Sequence, residues 1–340
     1  MIHAATAPLA WLRRAAEEGV LIPAAFLTVL LVVYGARSPG ALDPAQLKYT
    51  LFNASLALVL AAVGLSLVVL VGGLDLSSGG VIAAVNALLT IHYQGSVGSQ
   101  LMWLAVAVIL SAAFGALNGL VVHHFGLEPV VVTLASGFIL TGSALLLLPQ
   151  PAGLQPSSGT SLLSYLTDDV AGVPVSLLVV LVVALAWVVL RRSRLGTSMI
   201  AVGSDVGAAA YTGVNVGRTR VLVFALAGAM YGLAGIAVTS QTSGGDPQLG
   251  AGYLLGAFAA VVVGGVRLGG GFGSVIGVIL GAMALTVSVN VLLALGFGTY
   301  WTTIVRGLFL IVAIGAQAAL AVALHRSAKR SAAARVEALA

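Results

Sequence analysis

Long apolar stretches alternate with short polar ones along the chain, and they are too long and unbroken for strands or for the amphipathic helices of a water-soluble core. Ten of them run over residues 20–34, 51–71, 79–93, 101–122, 130–148, 175–190, 221–240, 253–266, 275–295 and 300–320. A helix rises about 1.5 Å per residue and the hydrocarbon core of a bilayer is about 30 Å thick, so about 20 apolar residues make one crossing. The pattern predicts an all-α, polytopic membrane protein of about ten transmembrane helices. Its transmembrane domain covers 20–320, between an N-terminal segment, 1–19, and a basic tail, 321–340.

The stretches 79–93 and 253–266 are short, with 15 and 14 residues, and each is bounded by glycine. They are the third of the first five spans and the third of the second five. Short, glycine-interrupted segments at corresponding places in two halves predict discontinuous helices around a transport path. A second likeness, "VVLVGGLDL" (68–76) to "AVVVGGVRL" (260–268), relates spans two and eight and so disagrees with a five-plus-five repeat. A nine-residue match of Val and Gly is cheap in such a chain, and the span lengths carry more weight.

Charge fixes an orientation for these spans. Arg13, Arg14, Arg191, Arg192, Arg194, Arg218, Arg220, Arg267, Arg326, Lys329, Arg330 and Arg335 fall on one side, only Arg37 and Lys48 on the other, and Arg306 inside the last span. By the positive-inside rule both termini are cytoplasmic. The first span follows Arg13 and Arg14, but Pro23 stands near its start and no small-x-small cleavage site precedes the polar loop. It reads as a retained span and not a signal peptide.

The composition, 60% hydrophobic and 7% charged, agrees with this class, since soluble domains carry about 25% charged residues. The net charge of +5 is accounted for by topology and calls for no nucleic acid, and the 43 glycines predict close backbone packing between spans. Without cysteine, thiolate metal sites and cysteine nucleophiles are excluded. His123 and His124 are adjacent, about 100° apart on a helix, and cannot share a metal in the i, i+4 manner. Glu128 before Pro129 marks the start of a helix. No phosphate-cradling G-x-x-x-x-G-K-[ST] loop exists, because the two lysines lie in "PAQLKYT" and "RSAKRSA". No metal or cofactor belongs to this chain, and ATP-driven transport would need its ATP and magnesium on another subunit. The connection 149–174 is rich in Pro, Ser and Gly and shows no catalytic layout.

Three groups of residues remain as candidates. The first is "GGLDLSSG", in which Asp75 stands with Gly72, Gly73 and Ser77 after span two. It reads as a helix cap and sharp turn, or as a cytoplasmic gate element paired with Arg267. The second is a wet path lined by Asn53, Asn86, Asn118 and Asn290, since amides are costly to bury. Phe297 or Trp301 would present an aromatic face to a neutral polyhydroxyl solute. Each Asn can equally bond a neighbouring helix. Arg306 alone is plainly intramembrane, which counts against ion-coupled transport. The third is 191–220, the longest and most basic connection. There Ser204 or Asp205 caps a short helix at about 206–212, Gly213 ends it, and small residues let another protein approach, with Arg218 and Arg220 beside it. The alternative is an ordinary loop helix anchored at the lipid surface.

Four blocks, "GGLDLSSG" (72–79), "GALNGLVVHHFGLEPVVVTLASGFILTG" (115–142), "RLGTSMIAVGSDVGAAAYTGV" (194–214) and "GYLLGAFAAVVVGGVRLGGGFGSVIGVILGA" (252–282), resemble successive blocks of the ribose-type monosaccharide ABC importer permeases. These belong to the binding-protein-dependent branched-chain amino acid and sugar permease superfamily. The resemblance covers roughly 51–316. It implies a non-enzymatic permease subunit of the bacterial inner membrane that dimerises within the lipid and receives a monosaccharide from a periplasmic binding protein. Cytoplasmic ATPase subunits would drive it, docked on a coupling helix. Carried over, the coupling residues are Gly203, Ser204, Asp205, Ala208, Ala209, Ala210, Tyr211, Gly213 and Val214. At the start of span eight family members often read Tyr-Glu-Leu-Asp-Ala, where this chain has Tyr253, Leu254, Leu255, Gly256 and Ala257. Both homodimer and heterodimer stay open, as do a nucleoside or branched-chain amino acid as substrate and a stand-alone facilitator or ion-coupled carrier.

Overall fold

The computed structural model describes residues 19–154 and 161–298 and single positions between 300 and 315. These form α1 (Leu21–Arg37), α2 (Pro44–Leu70), α3 (Ser78–His92), α4 (Val97–His124), α5 (Pro129–Leu147), α6 (Val175–Arg192), α7 (Arg194–Ser204), α8 (Val206–Tyr211), α9 (Val216–Thr242), α10 (Gly250–Val263) and α11 (Val275–Ala294). Of these, α2, α4, α5, α6, α9 and α11 are long and apolar enough to cross a membrane, while α1, α3 and α10 are shorter apolar helices. The chain is an all-α, multi-pass membrane protein. Nine of the ten expected spans find a helix; the tenth, 300–320, lies largely outside the described residues, as do Arg306 and the two terminal segments.

In hydrocarbon every backbone N–H and C=O must be bonded within the chain, which is why apolar stretches of this length become helices. Their burial sorts them. The most apolar stretch of α2 is 94% buried inside the subunit, whereas that of α6 is 22% buried, so α2 forms the centre and α6 lies at the periphery. Helices α4 and α9 pack on each other through Ser111, Gly115 and Gly119 against Phe224, Gly228 and Gly232. A Cβ on Gly115 would lie 2.1 Å from the Phe224 carbonyl oxygen, and one on Gly228 would lie 2.2 Å from that of Ser111. The abundance of glycine is therefore spent, at this crossing, on helix contact by backbone, as membrane bundles require.

One end of the bundle gathers the arginine-bearing connections: α7 and α8, the 264–274 loop, the end of α2 and the start of α1 meet there. We call it the basic face. The opposite face holds the 149–174 connection, whose Ala152–Gly153 strand (β1) pairs antiparallel with Gly244–Gly245 (β4) and whose Asp169–Val170 (β2) pairs with Val173–Pro174 (β3). Lys48 clasps that hairpin, donating to Gly172 O at 2.5 Å with Asp169 4.0 Å away.

Three expectations are corrected. The second span starts earlier than residue 51, because α2 begins at Pro44 and carries a π-helical turn at Tyr49–Asn53. The eighth ends at Val263, since Gly265, at φ +80°, terminates α10. The 191–220 connection contains two helices where one was expected. Ser193 starts the first by accepting Gly196 N at 3.2 Å, and Met199 and Val202 bury its apolar side.

Candidate functional site

Helix α2 ends in a Schellman motif: Gly72 stands at φ +84°, its N–H bonds Val69 O, and Gly73 N–H bonds Val68 O, each at 2.9 Å. The same pair of bonds ends α10, from Gly265 to Val262 and from Val266 to Val261. Only a residue tolerating positive φ serves there, so "LVGG" (70–73) and "VVGG" (262–265) each stop their helix at one of their glycines. The likeness of 68–76 to 260–268, discounted on sequence grounds, is thus a shared helix ending, offset by one residue from the letter match.

Past Gly72 the chain does not stay on the basic face. Residues 73–77 turn inward: Leu76 N–H donates to Thr133 Oγ1 of α5 at 2.9 Å, and Asn118 Nδ2 of α4 donates to Ser77 Oγ at 3.2 Å. Asp75 is carried with them and is fully buried. Its Oδ1 accepts Ser77 N–H at 2.8 Å and Ser77 O–H at 2.6 Å, and the Tyr231 phenol of α9 is its electrostatic neighbour. Asp75 Oδ2, the Tyr231 hydroxyl and Ser78 Oγ are buried with no hydrogen bond of their own. Tyr231 is fifteen residues into α9, about 22 Å along the axis. The expected partnership with Arg267 is not formed: Arg267 is exposed, its guanidinium 5.3 Å from the centre of the Phe272 ring. The inward turn of 73–77 separates the two charges.

The inward turn also starts α3 inside the bundle. Helices α3 and α10, with 15 and 14 residues, are each about 21–22 Å long and fall short of the roughly 30 Å core. Their first turns touch: a Cβ on Gly79 would lie 2.5 Å from Gly250 O, and one on Gly250 would lie 2.2 Å from Gly79 O. Gly79 also faces Leu254, and Gly250 faces Ala83, so the helices overlap by one antiparallel turn and diverge toward opposite faces. Two N-termini, each with its positive dipole end, thus meet in the interior, the arrangement that discontinuous transporter helices use.

Asn86 holds this arrangement in place. Its Nδ2 donates to Thr239 Oγ1 of α9 and to Gly244 O of β4, both at 2.9 Å, and its Oδ1 accepts Asp246 N–H at 2.8 Å. The segment descending into α10 is therefore tied to α3 by one side chain, in addition to its pairing with β1. Asn53 is a second staple, on the π-helical turn: its Nδ2 donates to Thr167 O at 3.0 Å, Ser176 Oγ donates to its Oδ1, and Gln241 donates to its backbone O at 2.5 Å. Asn290 reaches Thr50 Oγ1 at 3.5 Å, and Phe297 and Trp301 stack edge to face at 5.5 Å beyond α11. The four asparagines do not converge on one path within the subunit. Asn53, Asn86 and Asn118 are buried and bonded to neighbouring helices, because an amide in hydrocarbon needs partners for each of its donors.

On the basic face α8 stands clear of the bundle. Asp205 caps it, Oδ1 accepting Ala208 N–H at 2.9 Å. Gly213, at φ +84°, closes it with bonds from Gly213 N to Ala210 O and from Val214 N to Ala209 O, at 3.0 and 3.1 Å. Ala209 is buried, anchoring the helix, while Ser204, Ala208 and Ala210 are exposed and Tyr211 is 95% exposed. Gly203, by contrast, is turned inward against Leu70 and Gly271. Asn215 Oδ1 accepts Arg218 N–H at 2.8 Å and opens α9. No cluster of three or more His, Asp or Glu side chains suited to a metal occurs among the described residues.

Residues 49–314 match the family described as branched-chain amino acid transport system, permease component. The chain belongs to this permease family. Its relatives include the autoinducer 2 import system permease protein LsrD of Escherichia coli K12 and of Shigella flexneri. Each is 30% identical over 74% of this chain and 78% of the relative. The D-allose transport system permease protein AlsC of E. coli K12 is 29% identical over 73% of this chain and 76% of the relative. No solved structure matches the chain. The matched span runs from the π-helical turn of α2 past α11, so it contains both the broken-helix core and α7–α8 of the permease.

Sequence reasoning located the break, the short helices and α8 in this permease. It missed Tyr231 as the neighbour of Asp75, and the role of Asn86 as the support of α10. Tyr231 carried no signal, being one tyrosine within an apolar span. Asn86 carried one, an amide in a short span, but its partners are more than 150 residues away in sequence.

Proposed function

We propose that this subunit translocates a monosaccharide across the bacterial inner membrane as part of an ABC importer. A periplasmic binding protein delivers the sugar, and separate cytoplasmic ATPase subunits supply the energy with their own ATP and magnesium. The observation that carries the reading is α8: a six-residue helix, capped at both ends, anchored through Ala209 and presenting Tyr211 to solvent beside Arg218 and Arg220. Such a helix is a rigid peg for a partner's groove. The naming of one relative as a D-allose permease supports the sugar. The asymmetry of Lys and Arg supports cytoplasmic termini and a cytoplasmic basic face.

On this reading Gly203, Ser204, Asp205, Ala208, Ala209, Ala210, Tyr211, Gly213 and Val214 couple the permease to the ATPase. The transmembrane domain is 20–320, with the coupling segment, 191–220, inside it. A second permease subunit completes the pathway, which accords with asparagines that are used up inside one copy. Expression of the operon with an affinity tag on this chain tests the proposal: the ATPase is expected to co-purify, and proteoliposomes to accumulate a radiolabelled monosaccharide on ATP addition. Uptake without an ATPase would point to a facilitator. Uptake of leucine or a nucleoside and of no sugar would overturn the substrate class.

A further inference from the structure

Besides the buried Ala209, Met199 and Val202 side chains, the α8 peg meets the core through a close backbone contact at the end of α7. Gly203 is the last residue but one of α7, and Asp205, two residues on, caps α8. A Cβ on Gly203 would lie 1.9 Å from the carbonyl oxygen of Leu70, the last residue of α2, and 2.6 Å from Gly271 N. The neighbouring glycine of the loop closes the contact from below: a Cβ on Gly270 would lie 2.8 Å from Gly203 O and 2.9 Å from Gly72 Cα. Ser204 meets the loop too, its N lying 2.8 Å from a Cβ placed on Gly271. Three segments, the end of α7, the end of α2 and the 270–271 loop, therefore cross at backbone distance around Gly203 and Gly270, with the short Ser204 side chain beside them, its Oγ 2.3 Å from a Cβ placed on Gly271.

One hydrogen bond ties the crossing. Gly271 N–H donates to Leu70 O at 3.0 Å. The last four carbonyls of a helix have no partner within it, so the loop supplies a donor that α2 lacks. Away from this point α7 and the loop stand apart: a cavity of about 390 Å³ lies between them, lined by Thr197, Ile200 and Ala201 on one side and Phe272 on the other. Contact is concentrated at the end of α7, next to the peg.

We propose that this glycine junction carries movement of the coupling segment into the α2–α3 break, so that α8, the 270–271 loop and the end of α2 move as one body. A contact between side chains absorbs a displacement by changing rotamers, but a contact between backbones has no such slack. A shift at Gly203 is passed to Leu70 or it breaks the Gly271 bond. From Leu70 only residues 71–74 separate the push from Asp75, and Asp75 fixes the turn that starts α3. Gly203 is thus a positioning residue: it touches no transported solute and sets how the peg is geared to the core. The inference rests on the reading of α8 as the ATPase-docking peg.

The chain has no cysteine, so labels can be placed without background. Gly207 is exposed, and Gly269 has nothing within 4 Å of an added Cβ. Spin labels at Gly207→Cys and Gly269→Cys, and separately at Gly207→Cys and Tyr165→Cys on the opposite face, are read in the assembled importer without nucleotide and trapped with Mg-ATP and vanadate. The 207–269 distance is expected to stay the same while the 207–165 distance changes. A changing 207–269 distance, or a fixed 207–165 distance, overturns the proposal. Gly203→Ala is expected to free the 207–269 distance and to lower binding-protein-stimulated ATP hydrolysis about tenfold, within the range produced by changes along a coupling network. The control Gly269→Ala leaves stimulation at the wild-type level. Wild-type stimulation in Gly203→Ala overturns the junction, and if that variant fails to assemble the label distances in the wild-type background decide. An ATPase that stays bound to Asp205→Arg would defeat the docking reading instead, before any label is read.

Discussion

Asp75 holds the backbone of Ser77 with the same oxygen that accepts the Ser77 hydroxyl, at 2.8 and 2.6 Å. The carboxylate therefore closes the turn that reverses the chain from α2 into α3, and what the turn needs is an acceptor at Oδ1. Asp75→Asn keeps that acceptor and is expected to retain a near-wild-type unfolding temperature. Asp75→Ala leaves a buried N–H unpaired and should lose about 1–3 kcal/mol. Tryptophan fluorescence during thermal unfolding in detergent measures both. Equal losses in the two variants would mean that the charge, and not the turn, is what the core requires.

The two amides of α3 and α11 separate structural staple from incidental contact. Asn86 makes three hydrogen bonds to three partners, two of them buried and the third part-buried, whereas Asn290 makes one long bond of 3.5 Å. Asn86→Leu leaves the Asp246 N–H without its acceptor, at about 1–3 kcal/mol, and removes one of the two donors to Gly244 O, the other being Thr242 Oγ1 at 2.8 Å. It is expected to abolish a monodisperse peak in size-exclusion chromatography. Asn290→Leu is expected to leave the peak intact. Uptake by Asn290→Leu then reports on the pathway alone, free of a folding defect.

Much of this was legible from residues, and the limits have physical causes. Length and apolarity marked the helices, because lipid forces every backbone group into an intrachain bond. The short 79–93 and 253–266 segments flagged the broken pair. The meeting of their first turns at Gly79 and Gly250 was not legible, since a glycine spent on contact looks like any other among 43. Asp75 was placed on the basic face because a charge after a span normally stays at the surface. The Thr133 and Asn118 bonds that draw 73–77 inward come from helices more than 40 residues further along. The short helix α8 was the easiest to find. A short helix built on its own cap and its own glycine depends on local letters only.

The α4–α9 crossing gives a prediction about glycine by position. Gly228 has no room for a side chain, while Gly142 on α5 has nothing within 4 Å of an added Cβ. Gly228→Leu is expected to cost more than the about 1–3 kcal/mol of ordinary overpacking, because the obstacle is the Ser111 backbone and cannot turn aside. Gly142→Leu should accumulate in membranes at the wild-type level. Immunoblots of membrane fractions with a temperature ramp in detergent distinguish them, and similar losses in both would contradict the close crossing.

The two ends of α8 allow docking to be separated from folding. Asp205 caps the helix through Ala208 N–H, so Asp205→Ala should lower both helix stability, by about 1 kcal/mol, and ATPase retention on an affinity column. Tyr211 is 95% exposed and makes no contact on which the fold depends, so Tyr211→Ala should leave the unfolding temperature unchanged. If the ring fills the ATPase groove, the same variant loses the ATPase from the column, because an exposed aromatic contributes most once a partner removes it from water. Retention of the ATPase by Tyr211→Ala, with loss in Asp205→Ala, would place recognition on the helix backbone and its small residues. Loss in both, with unfolding shifted only for Asp205→Ala, identifies Tyr211 as the anchor.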